Sequence, residues 1–136
     1  MENVFMQKHE HWLIIAQEDL ASAKHLNKVP FMTALFHIQQ CAEKALKAYL
    51  VFKKDSVMRT HDLVRLVDVC MEMDKEFESL RLFAAILTPY ETAGRYPTTD
   101  FVRLGMDEIQ EIIAQSEFVL TFVMHRIQGL QSSLKN

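Results

Sequence analysis

Four polar side chains follow one another along one side of a helical segment in the middle of the chain. Their spacings are three, four and three residues, and residues at these intervals share one face of an α-helix. Donors of this kind could hold an anionic ligand, but such a row is more often the solvated face of a helix, and spacing leaves both interpretations open. The row consists of His37, Gln40, Lys44 and Lys47.

Three further residues have side chains suited to the same chemistry. His61 opens a predicted helix, and Arg95 and Tyr96 begin the longest non-periodic stretch, which ends near Gly105. Arginine offers a fork for phosphate, lysine a point charge, and tyrosine a face on which a base stacks. Each also has a plainer interpretation, in which His61 caps a helix, Arg95 pairs with Asp19 or Glu43, and Tyr96 is an apolar plug.

Sequence patterns of common catalytic and metal sites do not occur. There is no glycine-rich phosphate loop, no GxSxG, no HExxH and no cysteine–histidine metal spacing. His9 and His11 are two residues apart and therefore point to different sides of a helix, so they are not expected to form a metal-binding pair. Both are expected to be solvated. Because the Glu-x-x-His pairs of di-iron bundles are also missing, we expect no metal and no cofactor.

The composition predicts one all-α domain. Three glycines and three prolines interrupt 136 residues, which is long enough for a real core. The formal net charge of −3 excludes a global basic field, so any nucleic-acid site must be a local patch.

The expected location is the cytoplasm. No segment reaches the roughly 18 apolar residues that span a bilayer, and the first residues do not resemble a signal peptide. Cys41 and Cys70 lie within apolar helical patterns without a CxxC pair, so they are expected to be reduced and packed.

Apolar periodicity predicts an antiparallel up-down four-helix bundle with one short additional helix. The third of these segments is the short one, with Thr60 or His61 near its cap. Residues 1–130 form the domain, and residues 131–136 are expected to be a polar, frayed tail. The predicted helices cover about 3–26, 30–53, 61–70, 74–87 and 106–130.

Two phenylalanines of the last helix lie beside its core stripe. Phe118 and Phe122 are four residues apart and form a second apolar face. Such a face indicates either contact with a partner or a wider contact with the protein's own core.

Several motifs, in this order, resemble the HEPN domain family (higher eukaryotes and prokaryotes nucleotide-binding) from Trp12 to about Ile127. The resemblance implies an up-down helical bundle with a short extra helix that often dimerises. The motifs are Trp12 with Asp19-Leu20-Ala21-Ser22-Ala23, the segment 34–47, Thr60-His61-Asp62-Leu63, and Tyr90 with Arg95-Tyr96-Pro97.

The family contains two functional kinds. One kind consists of ribonucleases, often toxins, which use an Arg and a His four to six residues apart, paired across a dimer. The other lacks that motif and binds nucleotides or RNA, commonly beside a separately encoded small nucleotidyltransferase. After Arg95 the corresponding positions hold Asp100, Phe101 and Val102, and no other Arg has the required His. The usual general acid–base partner for strand cleavage is therefore missing.

The resemblance thus implies a non-catalytic nucleotide- or RNA-binding module that is a homodimer and works with a minimal nucleotidyltransferase in a toxin–antitoxin-like pair. One alternative is a metal-independent ribonuclease toxin with a displaced histidine, His61 or His125. The other is a purely structural interaction module with Asp19 buried beside Lys44 or Arg95. The expected ligand contacts are Lys44, Lys47, His61, Arg95 and Tyr96, supported by Asp19, His37, Gln40 and Glu43, with Phe118 and Phe122 at the dimer interface.

Overall fold

The computed structural model of the protein describes residues 7–26, 32–92 and 104–135. Over these residues the chain is an all-α bundle, which confirms the predicted fold class. A 3₁₀ helix adjoins α4 at each end, Lys75–Leu80 before it and Thr88–Thr92 after it. The α-helices are α1 (Lys8–Leu26), α2 (Met32–Lys54), α3 (Leu63–Met71), α4 (Arg81–Leu87) and α5 (Met106–Lys135).

Helix α2 lies at the centre of the bundle. It packs along α1 and α5 and also contacts α3 and α4. Every residue from Ala45 to Val51 is buried, whereas a surface helix buries only one stripe. Alanines fill many of the buried positions of α1 and α2, and small side chains allow two helix axes to lie close together. They include Ala16, Ala23, Ala34, Ala42, Ala45 and Ala48.

The predicted fourth helix is divided into two kinds of helix. Residues 75–80 form a 3₁₀ helix, and only Arg81–Leu87 is α-helical. Phe77 and Leu80 are both buried, and their spacing of three matches the three-residue turn of a 3₁₀ helix. Within the described residues, the fourth helical segment of the predicted bundle therefore begins as a 3₁₀ helix and continues as an α-helix.

Two helix ends differ from the prediction. Asp62, and neither Thr60 nor His61, caps α3, because its carboxylate accepts hydrogen bonds from the backbone N–H groups of residues 64 and 65. Helix α5 continues to Lys135, so residues 131–135 are helical where a frayed tail was expected. Leu130 packs against the core near that end and helps to hold the last turns.

Buried thiols behave as predicted, whereas one histidine does not. Cys41 and Cys70 are unpaired and buried, and burial raises the pKa of each thiol to about 12. His9 was expected to be solvated but is only 3% exposed, with its ring centroid 4.8 Å from that of Phe52. His11 is exposed, as expected. Among the described helices, none is long and apolar enough to cross a membrane.

We expect His9 to make folding stability fall on mild acidification. Burial lowers the pKa of His9, although Glu10 opposes the shift, so the folded state favours the neutral ring. An unfolded histidine titrates near about pH 6.5 and takes up the proton first as the pH falls, which stabilises the unfolded chain. Urea unfolding on either side of that pH should show a loss of stability that His9→Leu reduces.

The matched control is His11→Leu, because His11 is exposed and two residues away. It should keep the pH dependence of the unmodified protein. An equal pH dependence in His9→Leu would contradict the assignment to His9.

Candidate functional site

The carboxylate of Glu43 is the centre of a polar cluster inside the bundle. Its side chain has no solvent exposure. It accepts hydrogen bonds from Lys47 Nζ at 2.9 Å, His61 Nδ1 at 3.0 Å and Gln39 Nε2 at 3.1 Å. Gln39, Glu43 and Lys47 occur at intervals of four on α2, which places them on one face. His61 comes from the segment before α3, 18 residues further along the chain.

Further groups surround these bonds. Gln40 Nε2 donates to Gln39 Oε1 at 2.7 Å, and Gln39 Nε2 lies 3.4 Å from the His61 carbonyl oxygen. Lys44 Nζ lies 3.8 Å from Glu43 Oε2. The cluster thus fixes the side chains of α2 and the backbone of the segment before α3 against one another.

Trp12 on α1 covers the two lysines. Its ring centroid lies 5.5 Å from Lys44 Nζ and 5.9 Å from Lys47 Nζ, distances typical of cation–π contacts. The half-buried Trp12 also lines an open cleft of about 330 Å³, whose apolar lining includes Val51 and Val57. An aromatic ring therefore separates the charged cluster from a neighbouring apolar cleft.

Glu43 is ionised in the folded protein. Burial by itself raises the pKa of the carboxyl group, but the hydrogen bonds from Lys47, Gln39 and His61 and the charge of Lys47 together lower it by more. The pKa is therefore below its ordinary value. Because an ionised carboxylate only accepts hydrogen bonds, His61 Nδ1 carries a proton.

The cluster is close to electrical balance. Lys44 and Lys47 carry two positive charges, and Glu43 carries one negative charge. Glu91 Oε1 lies 3.9 Å from His61 Nε2 and adds a second negative charge. The described part of the cluster therefore has a net positive charge only when the outer nitrogen of His61 is also protonated.

The structure brings together three of the five predicted ligand contacts, Lys44, Lys47 and His61. The side chain of His61 is 63% exposed and that of Lys44 is partly exposed, whereas Lys47 is only 5% exposed. The ammonium group of Lys47 therefore faces Glu43, and its role as a ligand contact stays a prediction. Arg95 and Tyr96 lie outside the described residues.

The polar row on α2 is not a solvated face. Gln40 and Lys47 are buried because α1, with Trp12, packs over this side of α2. His37 lies at the other end of the row and pairs with Asp19, with 2.9 Å between Nδ1 and Oδ1. Of the expected supporting residues, Gln40 and Glu43 therefore belong to the cluster, and Asp19 and His37 form a separate pair between α1 and α2.

The two phenylalanines of α5 have different surroundings. The Phe122 ring packs against Phe77 with 5.0 Å between centroids, which is a wider core contact. Phe118 is 49% exposed, and its ring lies 5.6 Å from that of Phe83. Of the two, Phe118 presents more surface for a partner.

The sequence prediction missed Gln39 and Glu91 as members of the cluster. Gln39 had a detectable signal, since Gln39, Glu43 and Lys47 repeat at the four-residue interval of hydrogen-bonded helix pairs. Glu91 had none, because it comes from a distant 3₁₀ helix.

Comparisons with known proteins identify relatives of this fold. The HEPN domain family model matches residues 9–127. An archaeal HEPN homologue of known crystal structure is 26% identical with a TM-score of 0.70, over 90% of this chain and 99% of the homologue. TT1696 from Thermus thermophilus is 23% identical with a TM-score of 0.72, over 88% and 98%, and is similar in fold. No curated protein sequence matches.

We expect Glu43→Gln to destabilise the protein by about 3–5 kcal/mol, because it leaves the buried Lys47 ammonium without its counter-charge. The double variant Glu43→Gln/Lys47→Met removes both charges and should recover most of the loss. Urea unfolding of the four members of this cycle measures the coupling.

Glu117→Gln is the matched control. Glu117 pairs with Lys24 at 3.0 Å, but both side chains are well exposed, so the loss should stay below about 1 kcal/mol. Equal losses in Glu43→Gln and Glu117→Gln would contradict the central role of Glu43.

Proposed function

The chain belongs to the HEPN domain family, and from that membership we propose a non-catalytic module that binds a nucleotide or an RNA segment. We further propose that it works with a separately encoded minimal nucleotidyltransferase in a toxin–antitoxin-like pair. The observation that carries the binding proposal is the convergence of Lys44, Lys47 and His61 on the Glu43 carboxylate.

The cluster holds its donors in place before a ligand arrives. Glu43 fixes Lys47 and the inner nitrogen of His61 through short hydrogen bonds. The partly exposed Lys44 ammonium group is then an outward donor, and the outer nitrogen of the exposed His61 ring is a second one when it also carries a proton. Donors that are already ordered lose little conformational entropy when they bind a phosphate.

Trp12 supports recognition of a base. Its ring borders the cleft of about 330 Å³ that Val51 and Val57 also line, a size within the range of small-molecule sites. Every nucleobase has a flat π-face that stacks on an aromatic side chain. A base in this cleft would lie next to the lysines that are expected to meet its phosphate.

The charge balance favours a short ligand. A long RNA needs an extended basic surface, whereas the cluster is nearly balanced and the whole chain has a formal charge of −3. Arg95, expected at the same site, would add one positive charge. We therefore propose a nucleotide or a short RNA segment, bound with a weak dependence on salt.

The non-catalytic part of the proposal is supported by the missing Arg–His motif and by the positions of two histidines. His61 belongs to the Glu43 cluster, whereas His125 lines a different cleft between α2 and α5. A ribonuclease with a displaced histidine is the alternative that the experiment below distinguishes.

Trp12 is the only tryptophan in the chain, so its fluorescence reports directly on the proposed site. Titration with adenosine nucleotides and short RNAs should change the fluorescence until it saturates. We expect His61→Ala to weaken binding about tenfold or more, since a hydrogen bond to a charged group contributes about 1.5–3 kcal/mol. His25→Ala, an exposed histidine further along α1, is the matched control.

Gel analysis of the RNA after each titration separates the alternatives. Saturable binding with intact RNA supports the proposal. Cleaved RNA would replace it with the ribonuclease, and no fluorescence change with any ligand would rule out binding at this site and leave the partner-docking function.

We also propose a homodimer in which Phe118 lies at the interface. Phe118→Ser should then give a monomer in size-exclusion chromatography with light scattering, because the side chain is half exposed and not part of the core. Leu134→Ser is the control, since Leu134 is also exposed and lies near the end of α5. An unmodified protein that is already monomeric at micromolar concentration would contradict the proposal.

A further inference from the structure

A second open cleft, of about 400 Å³, lies between the C-terminal halves of α2 and α5 and the turn after α3. It contains no residue of the Glu43 cluster, so it is independent of the function proposed above. Its lining includes Tyr49, Lys53, Met73, Asp74, Arg126 and Leu130.

Asp74 orients Arg126 at this cleft. Its Oδ2 accepts from Arg126 Nε at 2.7 Å and lies 2.6 Å from Nη2, while Oδ1 accepts from the backbone N–H of Glu76 at 3.0 Å. The Asp74 charge is thus matched by Arg126 and its oxygens are occupied. The Arg126 side chain remains 42% exposed, so its outer N–H groups can meet an anion.

The buried hydroxyl of Tyr49 is evidence that the same cleft binds a ligand. Tyr49 is only 1% exposed, and the described residues provide no hydrogen-bond partner for its hydroxyl. The one fully enclosed polar side-chain atom without a partner in that part of the chain is Gln115 Oε1, so the Tyr49 hydroxyl is not sealed inside the core. Tyr49 is a lining residue of the cleft, so the small accessible surface of the hydroxyl is attributed to this cleft. A buried tyrosine usually finds a partner for its hydroxyl.

The remaining lining residues define the chemistry of the ligand. Lys53 adds a positive charge that no carboxylate of the cleft matches, since Asp74 is engaged by Arg126. His125 also lines the cleft and adds a second positive charge when protonated. Met73 and Leu130 supply an apolar wall.

We propose that this cleft binds a small phosphate monoester. Its phosphate accepts hydrogen bonds from Arg126, Lys53 and the Tyr49 hydroxyl, and its organic part contacts Met73 and Leu130. A phosphate fits better than a carboxylate because three donor side chains line the cleft and phosphate has three terminal oxygens to accept from them.

Gly129 provides an NMR signal that reports on the cleft, and a larger side chain at this position would block it. It lines the cleft, and a Cβ built on it has no other atom within 4 Å. A larger side chain there would occupy the space without displacing the protein. Because glycine is unfavourable inside a helix, Gly129→Leu should keep or raise the melting temperature.

The experiment is a ¹H–¹⁵N NMR titration with phenyl phosphate. The chain has three glycines, so the Gly129 amide signal is among few in its region and is assigned by its disappearance in Gly129→Leu. We expect this signal to shift until it saturates at millimolar ligand, with inorganic phosphate producing a weaker shift. Benzyl alcohol, which lacks the phosphate, should leave the signal unchanged.

Three variants test the assigned contacts. Tyr49→Phe should weaken binding about fivefold without lowering the melting temperature, because the lost hydroxyl bonds only to the ligand. Lys53→Glu should weaken binding about tenfold or more, while Lys54→Glu, the same change at the next residue, should have little effect. His61→Ala should leave this titration unchanged, which separates the cleft from the Glu43 cluster.

Any one of three results would contradict the proposal. An unchanged Gly129 signal at millimolar phenyl phosphate would show that the cleft binds no phosphate monoester. An equal response to benzoate would show that the site does not select phosphate. A lower melting temperature in Tyr49→Phe would show that the hydroxyl stabilises the fold instead.

Discussion

The burial of one ionised carboxylate constrains this bundle more than any other interaction described. Glu43 has no contact with solvent, and an isolated charge in such a place is strongly unfavourable. The buried charge of Glu43 is stable because Lys47, Gln39 and His61 all donate hydrogen bonds to its carboxylate. Two of these donors come from the same helix, but the third requires the segment before α3 to return to α2. Satisfying this charge therefore fixes a long-range contact.

The same requirement explains why α2 is covered on so many sides. Lys47 is buried with Glu43, and Trp12 of α1 lies over the ammonium groups of Lys44 and Lys47. The small side chains of α1 and α2 let these helices approach, which places the aromatic ring close enough for contact. A polar row that resembles a surface stripe in the sequence thus becomes part of the interior.

Helix α2 also joins the two regions for which binding is proposed. Glu43 and Lys47 belong to the first, and Tyr49 and Lys53 line the second, within two turns beyond Lys47. In both regions a carboxylate orients hydrogen-bond donors: Glu43 holds Lys47 and His61, and Asp74 holds Arg126. The difference is that Glu43 is enclosed, whereas the cleft beside Asp74 is open.

The sequence by itself determined the all-α class, the buried thiols and the core stripes, because local periodicity records which face of each helix avoids water. It also placed Glu43 and Lys47 one helical turn apart. Only the tertiary structure decided that Lys47 and His9 are buried, that His61 meets Glu43, and that Phe122 packs inside while Phe118 stays half exposed. The physical reason is that the burial of a polar side chain depends on which distant segments pack over it, and helical periodicity carries no information about that packing.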